Sequence, residues 1–451
     1  MLLDMEDPTA EFIEAACVPL DRGHATGTLS QAERILAAHP EVAGASIHTA
    51  AILGDDAAVR AFLETDRGLA VAKAAPRGWD ALTHLCFSRY LRLDPSRSDG
   101  FVRAARALLD AGADANTGWW ERGGGGEPMW EPVLYGAAGI AHHAELTQLL
   151  LERGADPNDD EVVYHTPESY DNRAMRLLVE SGRLTHESLS LMLIRKHDWH
   201  DADGVRWLLE HGLDLNRDRL RGFRPIHHAT ERDNGLEIFE ALLDHGADPT
   251  LVEDGVSAVA LAARYGRGDV LALYERRGIP IELDGVDRLT AACARADAAT
   301  VRSLAAGEPD TVAELRAHGG DPLVRFAGTG NAAGVRLLLD LGVDVAAPSQ
   351  GDRYWGLVEG TTALHAAAWR AAHETVALLI DRGAPLEARD AQDRTPLALA
   401  VRACVDSYWA DLRSPASVRA LLEAGATTDG VVWPCGYTEV DEALRAHSAR
   451  P

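Results

Sequence analysis

A chain of 451 residues with 46% apolar side chains can build a packed core, and it carries 70 acidic against 44 basic groups, a formal charge of -26. That charge repels phosphate backbones and anionic lipid, which excludes nucleic acid and membrane surfaces as partners of the whole molecule. Five cysteines, Cys17, Cys86, Cys293, Cys404 and Cys435, stand singly with no CxxC pair, so their spacing indicates neither a disulfide framework nor a zinc ribbon.

The first stretch, "MLLDMEDPTAEF", lacks a basic n-region, and no later segment approaches the roughly 18 uninterrupted apolar residues of a membrane span. The expectation is a soluble, unexported, cytoplasmic protein. Scarce lysine, Lys73 and Lys196 alone, with abundant alanine points by association to a bacterial source. Residues 10 to 40 ("EFIEAACVPL", "SQAERILAAHP") are amphipathic and precede any repeat, so 1–44 is assigned as an N-terminal helical cap.

From residue 45 one pattern recurs: an apolar residue, two variable positions, a Leu pair, two more positions, then Gly and a short apolar or Asp-containing exit. The clearest copies are "VRWLLEHGLDLN" at 205–216, "FEALLDHGADPT" at 239–250, "VRLLLDLGVDVA" at 335–346, "VALLIDRGAPLE" at 376–387 and "VRALLEAGATTD" at 418–429. With looser copies the apolar anchors fall at 59, 105, 147, 175, 205, 239, 270, 301, 335, 376 and 418, a mean period of about 36 residues. Each copy carries one apolar stripe at i, i+3 and i+4, and the Gly seven positions on can take the left-handed conformation that stops a helix. Upstream of each lies an Ala-rich segment, such as "SIHTAAILGDD", "LYGAAGIAHHA" or "ALHAAAWRAAH", whose small side chains let a short helix sit close to a neighbour. The unit is therefore helix, tight turn, helix. No single pair can bury its own apolar face, so about eleven of them must stack into one core.

These residues resemble the ankyrin repeat family, whose pattern runs G-x-T-P-L-H-x-A-A, a short loop, then V-x-x-L-L-x-x-G-A-D-x-N. The segments from Gly360 to Asp390, from Gly222 to Pro249 and "DRTPLALAV" from Asp393 carry the likeness, which covers about 45–430 and is weaker at 160–190 and 285–330. The resemblance implies an all-α ankyrin-repeat solenoid with its array at 45–430; by position, the segments at 1–44 and 431–451 are expected to be its N- and C-terminal helical caps. It also implies finger loops and inner helices that form a binding face, protein recognition without catalysis, and a structural hydrogen-bonding role for His227 and His365, which fall on the His of the T-P-L-H element.

Within the array, "RKHDWHDADG" at 195–204 concentrates His197, Asp198, His200, Asp201 and Asp203. A metal site there needs outer-shell support that a turn between helices lacks, and Asp201 or Asp203 as an N-cap accounts for the acids. His142 and His143 sit in another such turn. The chain has no HExxH, G-x-S-x-G, P-loop or flanked G-x-G-x-x-G motif; "RGGGG" at 122–126 is a loop tip. No catalytic residue, cofactor ligand or metal ligand is assigned.

Four repeat intervals exceed the family's typical length of about 33 residues by roughly eight or more, and two of the insertions occupy the finger position. They are "TGWWERGGGGEPMWEP" at 117–132 and "APSQGDRYWGLVEG" at 347–360. Their aromatics Trp119, Trp120, Trp130, Tyr354 and Trp355, together with Trp79 and Phe223 after finger glycines and Trp369 at an inner-helix end, are the expected partner-binding residues. The partner is expected to be a protein with a basic patch, bound by a monomer. The alternative is a small-ligand or metal-dependent activity in a pocket between the two long fingers.

Overall fold

A computed structural model describes residues 7–21, 23–121, 127–217, 224–407 and 412–448. Phe223 and the glycine run at 123–126 lie outside the described residues. The chain divides into two units, the first running to Leu213 and the second beginning with Asp214.

The first unit is built of helix pairs: Ile47–Ile52 with Asp56–Thr65, Ala81–Cys86 with Ser98–Ala111, Val133–Ile140 with Ala144–Glu152, Asp160–His165 with Arg173–Glu180, and His186–Asp198 with Ala202–Leu209. Helix Pro8–Ala16 buries Phe12, Ile13, Ala15 and Ala16, and packs on Ser30–Ala38 and Ile47–Ile52. In the second unit the pairs are Pro225–Glu231 with Leu236–Asp244, Ala258–Arg264 with Gly268–Arg276, Gly285–Ala294 with Ala298–Gly307, Gly320–Gly328 with Ala332–Asp340, Ala363–Trp369 with His373–Asp381, and Pro396–Val405 with Ala416–Glu423. Helix Thr438–Ser448 lays Val440 and Leu444 against the end of this unit.

Every anchor of the repeat falls on the second helix of a pair and is buried, from Val59 and Ala105 to Val376 and Val418, all fully excluded from solvent except Val301 at 4%. The helix-stopping glycines act as their spacing requires: Gly212, Gly246, Gly342, Gly383 and Gly425 adopt φ between 78° and 99°, open to glycine without strain. Between the two helices of a pair the turn again needs a left-handed residue. It is supplied by Gly54, Gly266 or Gly330 in some copies and by His142 (φ 49°), His200 (φ 52°), Asp233 (φ 56°) or Ala371 (φ 56°) in others.

Asparagine ties successive loops together. Asn116 donates to Gly154 O (3.2 Å) and accepts from Asp156 N (2.8 Å), and Asn158 does the same with Arg183 O (3.0 Å) and Thr185 N (2.8 Å). In the second unit Asn216 bonds Gly246 O (2.7 Å) and Asp248 N (2.8 Å). Each amide thereby satisfies two backbone groups of the next loop.

The structure departs from the sequence pattern at 285–330. An additional helix, Pro309–His318, buries Val312 and Leu315 between two pairs. Its cause is local: Glu308 stands where most other copies have the stopping glycine, and Pro309 preorganises a new helix start.

Candidate recognition site

The insertion at 117–132 is a β-hairpin. Strands β1 (Gly118–Glu121) and β2 (Met129–Pro132) pair antiparallel, with Trp119 opposite Glu131 and Trp120 opposite Trp130. Alternation puts Trp120 and Trp130 on the outer face, their rings 5.1 Å apart. Trp120 is 55% exposed. Trp119, Glu121 and Glu131 point inward and are buried.

A groove of about 930 Å³ lies beside this hairpin, walled by Trp79, Trp119, Trp120 and Trp130 and edged by Lys73 and Arg77. Trp79 and Trp119 pack at 5.0 Å between centroids, and Phe87 meets Trp119 edge-on at 5.8 Å. The Arg77 guanidinium stands 4.7 Å over the Trp79 ring and donates to Val18 O (2.7 Å) and Glu14 Oε2 (2.8 Å). Arg77 is thus fixed by the N-terminal helix, and Lys73 is exposed.

Beneath the hairpin the inner face meets the N-terminal segment. His24 places Nδ1 3.0 Å from the Tyr135 hydroxyl and Nε2 3.6 Å from Glu121 Oε2. One donor atom from each of His24, Glu121 and Glu131 lies within 4.8 Å of the others. Burial, reinforced by Glu161, Glu121 and Asp159, pushes the Glu131 carboxyl up to about 8. Burial likewise lowers His24 and raises Asp159 to about 6. His165 moves the other way: burial opposes its charge, but hydrogen bonds to Glu161 and Glu168 outweigh it and raise the imidazole to about 9. Sequence reasoning missed this polar centre. Its signal was the period-2 pattern in "WWE" and "MWEP", which places both glutamates on the face of Trp119.

The finger at 347–360 folds down onto its own unit. Trp355 is buried, with Tyr265 edge-on at 5.8 Å and the Arg370 guanidinium 4.7 Å over its ring. Tyr354 is half-buried, stacked under Arg232 at 5.5 Å, and Arg232 Nη1 donates to its carbonyl at 2.8 Å. Of the residues expected to contact a partner, Trp79, Trp119, Trp355 and Trp369 are therefore packed into their own units, and Trp120 and Trp130 reach the surface of the hairpin. Loop indoles bury because helix ends and glycine-lined backbone leave space beneath the fingers, which the stripe pattern does not record.

The dense cluster at 195–204 resolves into scaffold chemistry. Helix His186–Asp198 carries His197, whose Nδ1 bonds Leu193 O at 2.7 Å, and His200 supplies the left-handed turn. Asp201 caps the next helix through Gly204 N (2.9 Å) and accepts from the buried Lys196 ammonium at 2.8 Å. His227 and His365 bond Val256 O (3.1 Å) and Arg394 O (3.0 Å), and His48 does the same to Ala72 O (2.9 Å). These are the loop-tying bonds that the resemblance implied.

Residues 289–390 match the model for three copies of the ankyrin repeat, and residues 221–254 match the single ankyrin repeat. Among curated proteins, human BCL-6 corepressor-like protein 1 is 33% identical over 112 residues, covering 20% of this chain and 6% of that protein. Human 2-5A-dependent ribonuclease is 36% identical over 88 residues, covering 19% of this chain and 12% of that protein. The matches thus span a small part of either relative's length. Among solved structures, the ankyrin repeat domain of Bcl-3 aligns over 51% of this chain and 96% of its own at 23% identity and a TM-score of 0.24. The human ASB11 ankyrin repeat domain aligns over 59% and 98% at 20% identity and a TM-score of 0.25. Helix pairs, loop-tying histidines and the two repeat-model matches define an all-α repeat architecture. Residues 221–254 and 289–390 thus carry ankyrin repeats.

Among the described residues no helix is long and apolar enough to cross a membrane.

Proposed function

We propose that this chain is a non-catalytic recognition module of the cytoplasm that binds another protein through the outer face of the 118–132 hairpin and the adjoining groove. The paired, outward-facing Trp120 and Trp130 carry the proposal. Exposed indoles bury large area at little rotamer cost on association, and a cross-strand pair is already ordered. The charge of -26 favours a partner with a basic surface, while the exposed Lys73 beside the indoles suits an acidic side chain at the edge of the contact. The segments 1–44 and 431–451 serve as caps of the array in this reading, and the 347–360 finger stiffens it.

The test is capture of partners by the wild-type chain and by a Trp120→Ala, Trp130→Ala double variant, with the far-ultraviolet helical signal as a folding control. Loss of a captured protein with the helical signal intact supports this surface, and equal capture rejects it. The size of the groove favours a second reading, binding of a small anionic aromatic molecule. A rise in melting temperature with such a molecule, in the absence of any captured protein, would support that reading over the first.

A further inference from the structure

We propose that His24, Glu121 and Glu131 form a binding site for one divalent first-row transition cation, Zn2+ by donor chemistry, which fastens the hairpin to the N-terminal segment. This goes beyond the recognition reading and does not depend on it. It also departs from the expectation that the chain has no metal ligands.

The first ground is the buried carboxylate of Glu131. Glu131 is fully excluded from solvent, and both of its carboxylate oxygens are without a hydrogen-bond partner. A buried carboxylate in that state costs several kcal/mol unless a cation or proton neutralises it. Glu121, 4% exposed, faces the same space.

The second ground is the imidazole. His24 is 7% exposed, and its Nε2 makes no hydrogen bond although it faces Glu121 at 3.6 Å. With its proton on Nδ1, donated to the Tyr135 hydroxyl at 3.0 Å, the ring presents the Nε2 lone pair to the carboxylates. That is the outer-shell arrangement that orients a metal-bound histidine.

Geometry is the third. The three donors lie within 4.8 Å of one another, and tetrahedral Zn2+ with bonds of about 2.0–2.2 Å needs donors roughly 3.4 Å apart. Small side-chain rotations close the difference. One imidazole with two carboxylates selects a borderline first-row ion over Mg2+, which prefers an all-oxygen, mostly hydrated octahedron. Trp119, 5.6 Å from the His24 ring, roofs the centre.

The test uses the full chain stripped with chelator and titrated with ZnCl2 in excess MgCl2, which saturates the many exposed acids. Calorimetry and elemental analysis after dialysis should find one equivalent of Zn2+. Glu131→Gln and His24→Gln should each weaken uptake by about tenfold or more with the helical signal unchanged. Absence of saturable uptake, or wild-type affinity in Glu131→Gln, would overturn the site and leave a proton shared between the two glutamates as the explanation. If a variant fails to fold, Co2+ loaded into the wild type decides. Intense visible bands with quenched indole emission support the site, and a spectrum like that of aqueous Co2+ contradicts it.

Discussion

The indole of Trp369 donates its Nε1–H to the main-chain carbonyl of Trp355 at 2.7 Å, and the Trp355 ring in turn occupies the space where Gly328 has no side chain. A Cβ on Gly328 would stand 2.1 Å from Cζ3 of that ring. The finger at 347–360 is therefore fixed to the helices Gly320–Gly328 and Ala363–Trp369 by fit and by a hydrogen bond. Gly328→Ala should destabilise the chain by about 1–3 kcal/mol, the usual cost of overpacking. Urea unfolding should show a lower midpoint, and an unchanged midpoint would mean that the ring has room to spare.

Lys196 and Asp201 form a buried pair whose partners are not equivalent, since Asp201 also accepts from Gly204 N and Asn172 Nδ2. Asp201→Ala takes away the cap on Gly204 N and leaves an unpaired ammonium, at a cost of about 3–5 kcal/mol. Lys196→Met leaves the Asp201 cap in place and should cost distinctly less. Equal losses in thermal unfolding would argue against a desolvated ion pair.

Stability should depend on pH through Glu131. Its folded pKa of about 8 lies above the ordinary carboxyl value of 4.5, so the folded state holds a proton that the unfolded state releases. The contribution is complete below pH 4.5 and is lost as pH rises through about 8. His84, lowered to about 3 by burial, acts oppositely between pH 3 and the ordinary imidazole value of 6.5, so the wild-type curve alone does not isolate Glu131. The stability of Glu131→Gln relative to wild type, both in chelator, should increase steadily from pH 5 to pH 9. A constant difference would place the Glu131 carboxyl at an ordinary pKa.

Ala371 holds φ 56° in the turn between Ala363–Trp369 and His373–Asp381, where Gly330 occupies the corresponding turn of the preceding pair. A left-handed alanine is strained by roughly 1 kcal/mol. Ala371→Gly should therefore raise stability by about 0.5–1 kcal/mol in spite of the entropy that glycine adds to the unfolded chain. A lower melting temperature would show that the turn tolerates alanine without strain.

The helix pairs were legible because their determinants are local: a stripe at i, i+3 and i+4, a stopping glycine, an Ala-rich partner. Anchors such as Val205 and Phe239 therefore fall where the spacing put them. The Lys196–Asp201 cluster was legible in part, since a cap follows from Asp before a helix, whereas the ammonium that shares it is a tertiary contact. The Glu131 centre was not legible as a cluster. Its members lie at 24, 121 and 131 and meet only once the hairpin closes over the N-terminal segment. The same closure hides Trp119 and exposes Trp120, neighbours in sequence that alternation sends to opposite faces.

Capture from an extract of the source cells by the wild type, by the Trp120→Ala, Trp130→Ala double variant and by Trp433→Ala tests the recognition surface most directly. Trp433 serves as the control because it is an exposed indole, 38% accessible, far along the chain from the hairpin. A protein retained by the wild type and by Trp433→Ala but lost from the double variant is the expected result. Retention of the same protein by all three would contradict the assignment of the hairpin as the binding surface.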